Sequence, residues 1–298
     1  LTDLDEAERL FTGAKTVFRA RKGSVIALKS RIKLHMQDWA GVIAEYEKIK
    51  GDYSLTANVA APFRSGGVSS DNIFSFANSP EANPGVNGAL GSMFGNPAKG
   101  GRGLVKISPL IWRAPFWHAE DTRRTLTSSN ATGYYTDKYT DPVTYTDPNP
   151  ILRFAEVVLN AAEAYARPGQ QQNTQLAVSL LNSVRSRALP ASVPAYATTD
   201  FANATSLLTA IFQERRIEFL AEGRRFFDIH RLAGEGLMTG VPAKATTRSI
   251  TNVNFYTTDR AIPTDHAIPY SSHLFIWPIP LEEIINNNTS PIEQNPGY

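Results

Sequence analysis

The sequence predicts an all-α fold of tetratricopeptide-like helical hairpins, with long loop-rich insertions and an irregular C-terminal segment. Apolar residues recur at spacings of three and four in residues 5–50 and 151–232, which is the periodicity of amphipathic helices. Short polar turns divide each stretch into helical pairs. A sustained alternation of polar and apolar residues is absent, so we expect only short strands, near residues 107–111 and 275–277.

The first helical region comprises residues 1–50. Apolar spacing predicts one helix over residues 5–20, a second over 24–36 and a third from Trp39 to Lys50. Asp38 immediately precedes the third helix and is a suitable N-cap. The second and third helices are typical of a tetratricopeptide hairpin.

A second hairpin and a longer helical stretch follow in residues 151–235. A helix over residues 151–167 ends at Pro168 and Gly169, and Thr174 is predicted to cap its partner. Residues 205–232 form one long helix or two, with an apolar stripe at Phe212, Phe219 and Phe226. A single hairpin cannot bury its own face, so we expect further repeats preceding this chain.

Composition sets limits on function. The 298 residues are 42% hydrophobic, which suffices for a real core. A net charge of +2, from 30 basic and 28 acidic residues, argues against a nucleic-acid or anionic-membrane surface. The chain has no cysteine, which excludes disulfides and thiolate chemistry. It also lacks an apolar run of the roughly 20 residues needed to cross a bilayer.

Pro, Gly and polar loop residues separate the helical segment 151–235 from a predicted insertion, 51–150, and an irregular end, 236–298.

Residues 214–231 concentrate charge on one predicted helix. Helical spacing brings Arg215 near Glu218, and Asp228 near Arg231, close to the apolar stripe. Charges that are half-buried must be paired and hydrogen-bonded, so the pattern predicts an ion-pair network that stabilises the fold.

Catalysis is the alternative for the same segment. Glu214, Glu218 and Glu222 could act as the acid and base of a glycosidase. A general acid needs a raised pKa, whereas neighbouring arginines lower the pKa of a carboxyl group. We therefore expect a protein without catalytic residues.

The histidines and glycines predict no metal site and no cofactor. The spacing of the histidines is not that of metal ligands; they are His35, His118, His230, His266 and His273. The sequence also contains neither a phosphate-binding loop nor a dinucleotide-binding motif. A calcium site formed by loop carbonyls remains an alternative, because such sites leave little trace in the sequence.

Several segments together resemble the SusD/RagB family. Residues 214–231 (ERRIEFLAEGRRFFDIHR) are similar to its signature ERR-x-E-L-x-x-E-G-x-R-(W/F)-x-D-(L/I)-x-R. Residues 154–165 (FAEVVLNAAEAY) resemble its RYAEVLLNYAEA helix, and residues 276–298 its LWPIP…QNPGY end. Shorter matches in family order are 121–124 (DTRR), 138–139 (KY) and 182–189 (NSVRSRAL). Family members are longer, so the chain is identified as the C-terminal part of a member, with the N-terminal region absent.

The resemblance implies a function that the residues alone do not establish. It implies a lipid-anchored protein on the cell surface, in the outer membrane, that binds a glycan for a SusC-like TonB-dependent transporter and is not an enzyme. A peptide ligand, as in RagB-like members, is one alternative. A tetratricopeptide protein–protein adaptor is another.

The aromatic residues of the 51–150 insertion are the candidate ligand site. Trp and Tyr combine an apolar face with a polar tip, which suits the C–H faces and hydroxyl groups of sugars. SusD-like proteins also build their ligand surface largely from insertions, so the resemblance agrees. The predicted ligand-binding residues are Trp112, Trp117, His118, Tyr134 and Tyr135. Asp121, Arg123 and Tyr139 lie in family motifs and are expected to be structural.

Overall fold

A computed structural model of the chain describes residues 1–246, 248–287 and 289–298. Its α-helices are α1 (Thr2–Leu10), α2 (Lys22–His35), α3 (Trp39–Ile49), α4 (Leu90–Phe94), α5 (Pro109–Trp112), α6 (Phe154–Ala166), α7 (Thr174–Arg185), α8 (Ala204–Glu218), α9 (Arg225–Gly234), α10 (Asn254–Thr257) and α11 (Leu281–Asn286). Its strands are β1 (Asn72–Phe76), β2 (Thr127–Asn130), β3 (Gly133–Thr136), β4 (Asn149–Arg153), β5 (Gly240–Val241) and β6 (Ile268–Pro269). The strands pair antiparallel as β1–β4, β2–β3 and β5–β6.

The scaffold is a row of antiparallel helices, as the periodicity predicted. The hairpins α2–α3 and α6–α7 are direct neighbours because α3 packs against α6, and α8 covers α6 and α7. Small and apolar residues let α6 run through the centre of the row, where nearly all of it is buried. The predominantly helical fold is therefore confirmed. Among the described residues, none of the helices combines the length and apolar character that a membrane crossing requires.

Polar caps fix the helix ends. The Asp38 side chain accepts the Gly41 N–H at 2.9 Å and caps α3 as predicted. Asn173, rather than the predicted Thr174, caps α7 by accepting the Leu176 N–H at 3.0 Å. Asn203 caps α8 in the same way.

One predicted helix is shorter than its periodicity suggested, and the stretch predicted as one long helix or two consists of two. The first ends at Leu10, where Phe11 becomes extended and two poor helix formers, Thr12 and Gly13, follow. The stretch 205–232 is divided into α8 and α9 by residues 219–224. Two of these residues have positive φ, Ala221 at 64° and Gly223 at 74°, a conformation that a right-handed helix cannot contain.

The predicted strands at 107–111 and 275–277 are wrong. Prolines lie in or beside both segments and cannot donate to a sheet ladder. Pro109 instead begins the short helix α5, and residues 273–275 form a 3₁₀ turn. The strands that do form are too short to show alternation, and β4 leads directly into α6.

One hydrophobic core crosses three of the four predicted segments. It joins Ile26 from α2, Ile73 from β1, and Leu159 and Ile211 from α6 and α8. The insertion 51–150 therefore contributes to the scaffold through β1, while its remainder contains short helices, the β2–β3 hairpin and loops. The division at residues 50, 150 and 235 stays a prediction.

Candidate functional site

Glu218 is the centre of a buried ion-pair network. Its Oε1 atom lies 2.9 Å from Arg153 Nη1 and 2.6 Å from Arg187 Nη2, and its Oε2 atom lies 3.1 Å from Arg123 Nη1. Burial alone would raise the pKa of Glu218, but the charges of Arg187, Arg153 and Arg123 hold it well below its ordinary range. The predicted network is confirmed. Its arginines, however, come from three distant segments rather than from the helix that carries Glu218.

The neighbouring acids are also enclosed. The side chains of Glu214, Glu218 and Glu222 are 5%, 4% and 5% exposed. Burial raises the pKa of Glu214 even though Arg123 pairs with it. A raised pKa suits a general acid, but a general acid must also reach its substrate. These carboxyl groups face arginines in the interior and line neither cavity of the groove described below.

A second network joins α9 to the scaffold. Arg231 pairs with Asp228 at 2.9 Å, the contact that helical spacing predicted. Arg215 pairs with Asp228 at 3.1 Å rather than with Glu218, because the break after α8 folds α9 back. Burial alone would raise the pKa of Asp228, but the two arginines lower it to about 2. Phe226, predicted to complete the apolar stripe, is instead 44% exposed.

Beside these networks lies an open groove made of two adjoining cavities, of about 450 and 440 Å³. Both cavities are lined by residues 105–108 and by Arg216 and Arg225. The segment 241–245 forms the opposite wall of the first cavity, together with Ile250 and Tyr256. Most of the lining is apolar. This size and character fit a small-molecule site.

An aromatic cluster supports one wall of the groove. Trp112 stacks on Tyr134 with ring centroids 3.9 Å apart, and Tyr134 lies 5.1 Å from Tyr256. The guanidinium carbon of Arg124 lies 4.4 Å from the Trp112 ring centroid and 4.5 Å from that of Trp117. The Tyr256 hydroxyl donates to the Ile107 carbonyl at 2.7 Å, which fixes the cluster to the groove.

The structure brings three of the five predicted ligand residues together. Trp112, Trp117 and Tyr134 belong to the aromatic cluster, and His118 follows Trp117 with a side chain that is 40% exposed. Tyr135 points to the other face of β3, as alternation along a strand requires, and its hydroxyl contacts Thr132 at 2.8 Å.

Burial separates these five residues into two groups. Trp117 is 3% exposed and Tyr135 is 2% exposed, so both lie in the interior. Trp112, Tyr134 and His118 are partly exposed and remain able to reach a ligand. Ligand contact stays a prediction for all five residues.

The charged residues of the groove were not predicted from the sequence. The first cavity is lined by Lys106, Arg216, Arg225 and Lys244. A signal was present, because consecutive residues on a helix point about 100° apart. Arg215 and Arg216 could not therefore both face the same buried acids. Among the described residues, no group of three or more His, Cys, Asp or Glu side chains is placed to hold a metal ion.

Comparison with known proteins identifies the family. A sequence model of the SusD family matches residues 112–298. The chain belongs to the SusD family. No curated protein sequence matches it.

Solved structures of SusD superfamily proteins share the fold. One from Bacteroides fragilis is 27% identical, with a TM-score of 0.68 over 86% of this chain and 58% of that protein. One from Bacteroides vulgatus is 21% identical, with a TM-score of 0.75 over 100% of this chain and 64% of that protein. A SusD-like carbohydrate binding protein from Bacteroides vulgatus is 20% identical, with a TM-score of 0.64 over 77% of this chain and 50% of that protein. This SusD-family chain thus spans 58% and 64% of the lengths of the first two relatives.

Proposed function

We propose that this SusD-family chain is a non-catalytic glycan-binding protein that captures its ligand in the groove. The observation that carries the proposal is the separation of two sets of residues. The acids of residues 214–222 are locked in buried ion pairs, whereas an apolar groove backed by stacked aromatic rings stays open beside them. The first set stabilises the fold, and the second offers a surface for recognition.

The groove has the chemistry that a sugar requires. Leu104, Val105 and Val241 provide apolar surface for the C–H faces of a pyranose ring. The lysine and arginine side chains that line the same cavity can donate hydrogen bonds to hydroxyl groups. A carbohydrate ligand also agrees with the described activity of one structural relative, the carbohydrate binding protein from Bacteroides vulgatus.

A peptide ligand has less support. Peptides commonly add a strand to an exposed sheet edge. The strand that borders the groove, β5, is only 2 residues long and already pairs with β6. We therefore favour the glycan.

The proposal extends to the setting in which SusD-family proteins act. The captured glycan would pass to a SusC-like TonB-dependent transporter, and a lipid anchor on the full-length protein would hold it at the cell surface of the outer membrane. Family membership supports this part of the proposal. Co-purification of the full-length protein with such a transporter from membranes tests it.

Glycan binding is tested by an array screen followed by calorimetric titration of the hits. Val105→Trp would fill the groove, since the exposed Val105 lines both cavities. Val143→Trp is the matched control on an exposed loop outside the groove. We expect Val105→Trp to weaken binding at least tenfold and Val143→Trp to leave it unchanged, with equal melting temperatures.

Two results would contradict the proposal. Unchanged affinity in Val105→Trp would remove the groove as the site. A folded protein that binds no glycan on a broad array would remove the function itself.

A further inference from the structure

The groove carries an unbalanced positive charge. The charged residues that line its first cavity are all basic: Lys106, Arg216, Arg225 and Lys244. The second cavity adds Arg215 and Asp228, but these two residues pair with each other at 3.1 Å. Among the described residues, no carboxylate forms an ion pair with any of these four cations.

Arg216 and Arg225 differ from the fully buried arginines of the protein, each of which pairs with a carboxylate. Arg153 and Arg231, for example, each contact at least two carboxylates. Across residues 1–246, 248–287 and 289–298, neither Arg216 nor Arg225 forms an ion pair, although both are half-buried. Burial, followed by the charge of Arg225, lowers the pKa of Arg216 to about 10. The fold therefore holds two guanidinium groups where their charge is costly.

The chain path explains why these two residues meet. Arg216 lies in the last turn of α8 and Arg225 is the first residue of α9. The break between the helices, with positive φ at Ala221 and Gly223, turns the chain so that both residues line the same cavities. The positive end of the α9 dipole lies at the same place and adds to the field.

We propose that the groove binds an acidic oligosaccharide, with a carboxylate or sulfate ester group held between Arg216 and Arg225. This inference rests on the proposed glycan-binding function and specifies its ligand class. The planar fork of a guanidinium group matches both oxyanions, and two such forks fix the orientation of one acidic group. The sugar rings lie against Leu104, Val105 and Val241, and Lys106 and Lys244 supply further positive charge.

The test is calorimetric titration of the full chain with paired probes. Tetragalacturonic acid is compared with its methyl ester, and a sulfated neocarratetraose with its desulfated form, so that the acidic group is the only difference within a pair. We expect the acidic member of at least one pair to bind at least tenfold more tightly. The pair that shows the difference distinguishes a uronate from a sulfate ester. The advantage should shrink as salt is raised, because the groove is open to solvent.

The double variant Arg216→Gln/Arg225→Gln should abolish the preference. Arg9→Gln/Arg19→Gln is the matched control, since it removes the same charge from exposed positions in the first 20 residues. We expect the control to keep the full preference. The melting temperature of the groove variant should be equal to or higher than that of the wild type, because two enclosed cations have been removed.

The possible failures can be told apart. Equal binding of acidic and neutral probes, unaffected by the groove variant, would overturn the acidic ligand and leave the glycan-binding function standing. Absence of binding to every probe and to a broad glycan array would overturn both. A groove variant with a lower melting temperature, and with acidic and neutral binding lost together, would show that the two arginines hold the fold and would overturn the inference.

Discussion

Arg215 and Arg216 are neighbours in the chain, but only Arg215 pairs with a carboxylate among the described residues. Arg215 is buried, with Nε 3.1 Å from Asp228 Oδ2 and Nη1 2.6 Å from Asn160 Oδ1. Arg216 is half-buried, lines both cavities of the groove and has no carboxylate partner among the described residues. The helix, which turns about 100° per residue, thus divides a single charged motif into a part that stabilises the fold and a part that faces solvent.

Removing the charge at the centre of the buried network should destabilise the protein strongly. Glu218→Gln leaves Arg153 and Arg187 without their shared carboxylate, and loss of one partner of a buried pair costs about 3–5 kcal/mol. Urea unfolding followed by circular dichroism measures the loss. Glu282→Gln, on the exposed face of α11, is the control and should change the free energy of unfolding by less than about 0.5 kcal/mol. Equal effects of the two variants would show that the network contributes little.

The same networks predict a loss of stability in acid. The charges of arginines lower the pKa values of Glu163, Glu218 and Asp228 in the folded protein, that of Asp228 to about 2. The unfolded chain therefore binds protons first, at pKa values of about 4. The free energy of unfolding should fall as the pH drops from about 5 toward 2.

Glu214 has the opposite effect on stability in acid, because burial raises its pKa. It therefore makes the decrease in the free energy of unfolding with falling pH less steep. Glu218→Gln should also reduce the slope, because one of the depressed groups is gone. Urea melts at half-unit pH intervals measure the profile. A free energy of unfolding that stayed constant down to pH 3 would contradict the assignment of these carboxyl groups to the folded state's ion pairs.

The break between α8 and α9 can be tested by exchanging alanine and glycine. Ala221 has φ of 64°, which costs a residue with a Cβ atom about 1 kcal/mol, so Ala221→Gly should stabilise the protein by about 0.5–1 kcal/mol. Gly223 has φ of 74° and open space around its missing Cβ, so Gly223→Ala should destabilise by a similar amount through the backbone alone. Thermal unfolding measures both changes. Effects of the same sign would contradict the assigned turn.

The periodicity of apolar residues was sufficient to predict the helices of the scaffold, but not the break between α8 and α9 that shapes the groove. The apolar spacing of α3 and α7 reports burial on one face, and this burial is what the structure shows. The end of α8 is set by the positive φ angles at Ala221 and Gly223. An alanine in the sequence does not indicate a positive φ angle. The partners of Glu218 likewise come from residues 123, 153 and 187, whose proximity depends on tertiary structure.

The sequence predicted that aromatic residues of the insertion lie together, but not which of their rings are exposed. Trp112, Trp117 and Tyr134 are close together, as a shared site required. Which rings face solvent depends on packing against Ile217 and Tyr256, residues at least 80 positions away. None of the five predicted ligand residues lines either cavity of the groove, and the lining at Arg216 and Arg225 depends on the fold.

Arg124 should organise the aromatic cluster. Its side chain lies over the rings of Trp112 and Trp117 and donates to three backbone carbonyls, those of Trp112, Trp117 and His118. Arg124→Lys keeps the charge but cannot reproduce this fork, and the variant should lose about 1–3 kcal/mol. Near-ultraviolet circular dichroism should show a weaker tryptophan signal. Arg19→Lys, at an exposed position, is the control and should change neither quantity. An unchanged spectrum and stability in Arg124→Lys would contradict this role.

The most direct test of the central claim is hydrogen–deuterium exchange of the chain with and without a glycan selected on the array. Our account assigns recognition to the groove and leaves the buried acids as scaffold. It predicts that the ligand slows exchange in residues 103–110, 225–231 and 241–245. Slower exchange confined to other segments, with these three unchanged at saturating ligand, would contradict the account.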